Sequence, residues 1–266
     1  MINLTLYKRE MKGSIRLIFI FTAVITLYVS IIINMYDPKQ MALLDGIVES
    51  MPEIMAAVGM KAGAASLLGF MISYLYGFIL LLFPMVFCIL RGNGLIAKYI
   101  ERGFMVSLAA APVQRRTIAF TQMTVLVSGI LFLIIYSTVL QIVCSEVSAP
   151  GELEVAELVC LNVGLLCLHL FIGGICFLAS CIFSDTRYSV GVGAGIPTFM
   201  YVLQVLSNVG GHADKARYFT FFTLFDPDGI IAGDSSAVLG IAALFIGSIV
   251  LYIFSIMVFC KKDLHI

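Results

Sequence analysis

Six long apolar stretches, joined by segments whose basic residues gather on every second connection, leave this chain one class of fold: helices packed side by side through a lipid bilayer. In hydrocarbon every backbone N–H and C=O must be bonded within the protein, so a crossing takes about 20 apolar residues in helical form. The stretches lie at roughly 14–35, 62–90, 117–144, 155–183, 188–208 and 237–260, with ends placed to about four residues. Apolar residues make up 61% of the chain and charged residues 12%, too little polar cover for a water-soluble core of this size. The expected fold class is an all-α polytopic membrane protein forming one domain over 1–266, with no polar segment long enough to fold separately.

The charges test this plan. Six crossings place the N-terminal segment, loop 91–116, link 184–187 and tail 261–266 on one side, and segments 36–61, 145–154 and 209–236 on the other. The first side, with Arg16 counted at the edge of its span, holds 12 of the 16 Lys and Arg residues, among them Lys8, Arg9, Lys12, Arg91, Lys98, Arg102, Arg115, Arg116, Arg187 and Lys262. The second holds only Lys39, Lys61, Lys215 and Arg217, together with 12 of the 16 acidic residues. A net charge of zero hides this division, and the positive-inside bias puts both termini in the cytoplasm of a cell-membrane protein.

Several chemistries find no support. The first apolar run is too long for a signal peptide and lacks a small-residue cleavage site. There is no G-x-x-x-x-G-K-[ST] loop, no H-E-x-x-H and no G-x-S-x-G, so no bond-making activity is expected of the chain, and neither a bound cofactor nor a metal. The seven cysteines lie in or at the ends of spans, where thiols pack as small apolar groups; only Cys144 and Cys160 are placed to pair. Gly191, Gly193 and Gly195 alternate at the start of the fifth span and read as close helix packing. His169, alone deep in a span and without a ligand-spaced partner, reads as a neutral bonded histidine.

The connections are more individual. Leu4, Tyr7 and Met11 share a helical face and predict an interfacial helix over 1–13, the plainer reading being a solvated start with snorkelling lysines. Segment 40–60 carries apolar residues at helical spacing, interrupted by Pro52, as in a lid or interfacial helix. Arg217 to Phe225 is too aromatic for water and is followed by Asp226-Pro227-Asp228-Gly229; over 209–236 the chain is expected to dip into the outer leaflet and return. Loop 91–116 mixes cations with Leu95, Ile96, Tyr99, Ile100, Phe104 and Leu108, giving a helix that Pro112 should end before the third span.

This last loop resembles a known family. Glu101, Gly103, Leu108, Pro112 and Arg115 match the Glu, Gly, Leu and Pro-x-x-Arg signature before the third span of type-2 permeases of ATP-binding-cassette (ABC) exporters, although Phe104 stands where a small hydroxyl residue is common. Lys8 to Lys12 before the first span and the closing Phe259 to Leu264 add to the likeness. The resemblance implies pairing with a second permease subunit, homologous or identical, and a separate ATPase subunit that holds ATP and Mg. It also implies that 91–116 acts as a cytoplasmic coupling helix through Glu101, Arg102, Gly103, Leu108, Pro112, Arg115 and Arg116. No nucleic-acid partner is expected.

Within the spans, Thr117, Thr121, Thr124 and Ser128 share one helix face, and Tyr201, Gln204 and Asn208 share another. Thr121, Thr124, Ser128, Tyr201, Gln204 and Asn208 are therefore candidates for a transport pathway, with helix-to-helix hydrogen bonding the plainer alternative. No carboxylate or fixed cation occupies the middle of a span, which favours an external energy source over ion coupling. The expected function is the permease subunit of an ATP-driven exporter of an amphipathic drug, peptide or lipid. The alternative is a non-transporting sensor or scaffold that recruits a cytoplasmic protein through loop 91–116.

Overall fold

The computed structural model describes residues 2–37, 46, 48, 50–60, 66–104 and 113–262. Among them there is no strand, and six helical stretches are long and apolar enough to cross a bilayer: Leu4–Asn34, Ile79–Glu101, Arg115–Ser148, Val155–Ile182, Thr186–Asn208 and Ser235–Lys261. The chain is thus an all-α, multi-pass membrane protein. In chain order the helices are α1 (Leu4–Asn34), α2 (Pro52–Ala57), α3 (Leu67–Met71, continued by a π-helical turn Ile72–Tyr76), α4 (Ile79–Gly92), α5 (Ala97–Glu101), α6 (Arg115–Ser148), α7 (Val155–Ile182), α8 (Thr186–Asn208), α9 (Pro227–Ala232) and α10 (Ser235–Lys261).

The bundle is built around α7, which packs on α10, α8, α4 and α6. Its buried positions run round most of the helix, including Leu161, Leu165, Leu168, Ile172 and Cys176, as expected for a helix enclosed by others. The second extensive seam joins α1 to α6 and is partly polar: the Asn3 amide donates to Thr121 Oγ1 (3.0 Å), Tyr7 OH to Ser128 Oγ (3.0 Å) and Ser148 Oγ to Asn34 Oδ1 (3.1 Å), while Thr26 and Tyr136 share a bond of 2.6 Å. In lipid such bonds are worth about 0.6–2 kcal/mol each, and they also fix the register of two long helices.

Two element boundaries differ from the sequence expectation. The helix over 1–13 is not separate: α1 runs unbroken from Leu4 to Asn34, capped by Asn3 Oδ1 on the Leu6 amide. Its 31 residues span roughly 46 Å at 1.5 Å each, more than the ~30 Å of hydrocarbon, so the first turns lie beyond the crossing. The second run, expected as one helix over 62–90, is two. After the π turn the helix is broken at Gly77 and Phe78, where Phe78 has φ −137° and ψ −59°. The break makes room for the turn after α2, whose Gly59 (φ +80°) lies backbone to backbone against Gly77.

All seven cysteines are free thiols, including Cys144 and Cys160. His169 is fully buried, its Nδ1 2.8 Å from Leu165 O and its Nε2 3.2 Å from Leu81 O, one turn before Pro84 within α4. Of the three alternating glycines only Gly193 meets a neighbour: a Cβ there would lie 1.9 Å from Asn93 Oδ1 and 3.1 Å from Ala179 Cβ.

The segment between α8 and α10 turns back along α8. Two 3₁₀ turns, Gly211–Phe219 and Phe221–Leu224, precede α9. Thr220 Oγ1 donates to Met200 O (2.9 Å), eight residues before the end of α8 and hence about 12 Å down its axis. Phe222 and Phe225 are buried, and Leu224 O sits where a Cβ on Gly240 would be 2.4 Å away.

Candidate functional site

Two places carry convergent polar groups. One is where the start of α1, the end of α4 and the first turn of α8 meet α5. Five residues is too short for a helix to hold itself, so its anchors decide its position. Ser180 Oγ of α7 accepts from the amides of Ile96 (2.9 Å) and Ala97 (3.0 Å), satisfying two donors at the start of α5. Glu10 of α1 ion-pairs with Arg91 at 2.5 Å and accepts from Tyr99 OH, and Arg91 also donates to Glu10 O (2.9 Å). Glu101 Oε2 accepts from the Thr186 amide (3.2 Å) and from the Thr186 hydroxyl, at the first turn of α8. Ser189 Oγ, one turn on, donates to Asn93 O (3.0 Å).

Loop 91–104 is thereby fastened to α1, α7 and α8 at once. Removing the Ser180 hydroxyl leaves two buried amides without acceptors, at about 1–3 kcal/mol. Ser180→Ala is expected to accelerate hydrogen exchange of the Ile96 and Ala97 amides at least about tenfold while the core of α7 is unchanged; equal exchange in both proteins would contradict the anchor.

The residues singled out in this loop fall into three groups. Glu101 and Arg115 are engaged within the chain: Arg115 Nη1 donates to Lys262 O (3.0 Å), while Lys262 Nζ donates to the last carbonyls of α7, Cys181 O (3.2 Å) and Ile182 O (2.8 Å). Burial lowers the pKa of that ammonium from the usual lysine value. Arg102 and Arg116 are exposed, and Gly103 adopts φ +70°, a left-handed turn that glycine enters without strain. Leu108 and Pro112 lie outside the described residues.

The other place is a cavity of about 450 Å³ at the opposite end, between the turn after α2, the π turn, the last turns of α8 and the fold-back segment. Its walls mix Ile72, Tyr76 and Phe222 with Gln204, Asn208 and Asp226. Gln204 Nε2 donates to Asn208 Oδ1 (3.1 Å), and Thr223 Oγ1 to Gln204 Oε1 (3.2 Å), so the polar stripe of α8 joins the fold-back segment. Tyr201 sits below the cavity, buried against Phe222 with ring centroids 5.5 Å apart.

The two polar stripes are not brought together. Gln204 and Asn208 line the cavity; Thr121 and Ser128 are taken up by α1, and Thr124 turns its hydroxyl onto its own helix at Phe120 O (2.8 Å). The physical reason is the α1–α6 seam, which covers that face. Sequence reasoning missed Glu10, Asn93 and Ser180, the residues that position α5. The one available signal was Glu10 itself, the sole acid in the basic run Lys8 to Lys12.

Comparison with protein-family models, curated proteins and solved structures returns no significant match.

Proposed function

We propose that the chain is the permease subunit of an ATP-driven exporter, moving an amphipathic drug, peptide or lipid, paired with a second permease subunit and energised by a separate ATPase. The observation that carries this reading is the fastening of loop 91–104 to three spanning helices. A partner pressing on that loop would displace α1, α7 and α8 together, and α8 also forms a wall of the cavity at the far end. A rigid linkage from a docking surface to a cavity is what conversion of nucleotide-driven closure into motion of a pathway requires. Arg102 and Arg116, exposed and cationic, supply electrostatic attraction to an acidic docking surface.

The test uses membrane vesicles holding the chain and its ATPase, screened with fluorescent lipids and amphipathic dyes for ATP-driven movement. Glu101→Ala, which removes the Thr186 fastening of loop 91–104 to α8 and leaves, among the described residues, only the bond of Ser189 to Asn93 O, is expected to lower turnover about tenfold with the chain at equal membrane abundance, the equivalent of about 1.4 kcal/mol in coupling. Full turnover in Glu101→Ala would remove the linkage from the mechanism.

A further inference from the structure

A second cavity, of about 310 Å³, lies where the start of α1 meets the end of α4 and α5; the proposed transport mechanism uses some of its lining residues but not the cavity itself. Four cations line it from separate elements: Arg9 on α1, Arg91 at the end of α4, Lys98 on α5 and Arg102 just after it. Among the described residues only one carboxylate, Glu10, faces them, and it is spent: Oε2 is held by Arg91 and Oε1 by Tyr99. Four positive charges and one negative leave a net of three. Among the described residues Arg9, Lys98 and Arg102 form no ion pair, and the buried Nε of Arg91 has no hydrogen-bond partner.

Surface lysines and arginines of a membrane protein ordinarily point away from one another into water. Here the fold holds them around one concavity, floored by Gly13 and Gly94 and edged by the half-exposed ring of Phe104. Like charges so placed repel, and an anion between them relieves the repulsion. The position also selects the anion. Exposed Arg16 carries the last charge of α1; from Leu17 the helix is apolar, and the exposed Ile20 lies on the same helix face as Arg9 and Gly13. A phosphate in the cavity would therefore sit at headgroup depth, with apolar surface below it for acyl chains.

We propose that this cavity is a binding site for a phosphate group, recognised by Arg9, Lys98 and Arg102, with Arg91 held by Glu10 as its fixed back wall. Arginine forks suit phosphate oxygens in pairs, and Lys98 adds a point charge. The phosphate can belong to an anionic lipid or be free in solution; the site reads the same chemistry in both. The proposal does not rest on transport, although Arg102 is shared with the docking surface proposed above.

Because the chain contains no Trp, Phe104→Trp places a single tryptophan at the rim of the site, excited selectively over the 11 tyrosines. The full-length protein is titrated in two arms: phosphatidylcholine nanodiscs with increasing phosphatidylglycerol, and detergent micelles with inorganic phosphate. A saturable emission change is expected, weakened about tenfold by Lys98→Gln or Arg102→Gln and restored by Lys98→Arg. Saturation in the nanodisc arm alone identifies a lipid headgroup, and saturation by inorganic phosphate identifies a free phosphate. Native mass spectrometry of the protein with Phe104 intact gives an independent readout, a phospholipid or phosphate adduct that Arg102→Gln loses. A response that never saturates, or that the glutamine variants leave unchanged while remaining folded by thermal melting, reduces the cluster to diffuse surface charge and overturns the proposal.

Discussion

Replacing Arg91 with Met lowers the stability of the protein by about 3 kcal/mol, the largest loss expected from any single side chain described here. Arg91 and Glu10 have side chains only 15% and 11% exposed, and their separation is 2.5 Å. Taking away the cation leaves the Glu10 carboxylate, 11% exposed, without its ion pair and with Tyr99 OH as its remaining hydrogen-bond donor, while Arg9, Lys98 and Arg102 line the same cavity without pairing with it. The penalty is that of an unpaired buried charge, which exceeds what the intact pair contributes. The double variant Glu10→Gln with Arg91→Met should therefore recover much of the loss, since it removes the stranded charge along with its partner. Reversible unfolding in mixed micelles reads both. A loss below about 1 kcal/mol in Arg91→Met would mean that the pair behaves as a surface ion pair and does not fasten α1 to α4.

The second large effect is expected at Gly77. A Cβ there would lie 2.5 Å from Val58 O and 2.9 Å from the Cα of Gly59, and both neighbours are backbone, so no rotamer change can make space. Gly77→Ala must push the turn after α2 off the broken second span, at about 2–3 kcal/mol. That turn forms one wall of the 450 Å³ cavity, so the cavity changes shape as well. Faster exchange is expected at the amides of Gly59 and Met60, which bond to Ala56 O and Met55 O, both at 2.9 Å. Gly191→Ala and Gly195→Ala are the controls: both glycines lie in α8 with open space where a Cβ would sit, and each substitution should leave stability unchanged or raise it by up to about 1 kcal/mol. A Gly77→Ala protein as stable as these controls would show that the close approach is not required.

The features set by local pattern were legible in the sequence. Apolar run length and charge sidedness locate the crossings, because each crossing answers to the bilayer before it answers to its neighbours. The fold-back of 209–236 was visible because nine residues rich in Phe followed by Asp-Pro-Asp-Gly can neither span nor hang in water. The break at Gly77 was not, since Leu67 to Cys88 reads as one apolar run and only the distant turn at Gly59 accounts for the interruption. Likewise the role of a hydroxyl depends on what covers it: Thr121 and Gln204 look alike in a periodicity, yet one meets α1 and the other a cavity. The anchors of α5 join residues far apart in sequence, Glu10 to Arg91 and Ser180 to Ile96, and no spacing rule connects them. The loop signature drew attention to Glu101, whose carboxylate binds Thr186 within the chain; Arg102, Phe104 and Arg116 are exposed, and under the proposed function they are what a partner would meet.

The most direct test of the exporter reading is to purify the tagged full-length chain from its native membrane and measure Mg-dependent ATP hydrolysis in the eluate. The reading predicts that a separate ATPase subunit elutes in stoichiometric amount and hydrolyses ATP, and that Arg116→Glu, which reverses a charge on the exposed side of the loop, sheds it at equal membrane abundance. A wild-type chain that elutes without any ATP-hydrolysing partner, or with a cytoplasmic protein that binds the loop and hydrolyses nothing, contradicts it and leaves a recruiting scaffold in its place.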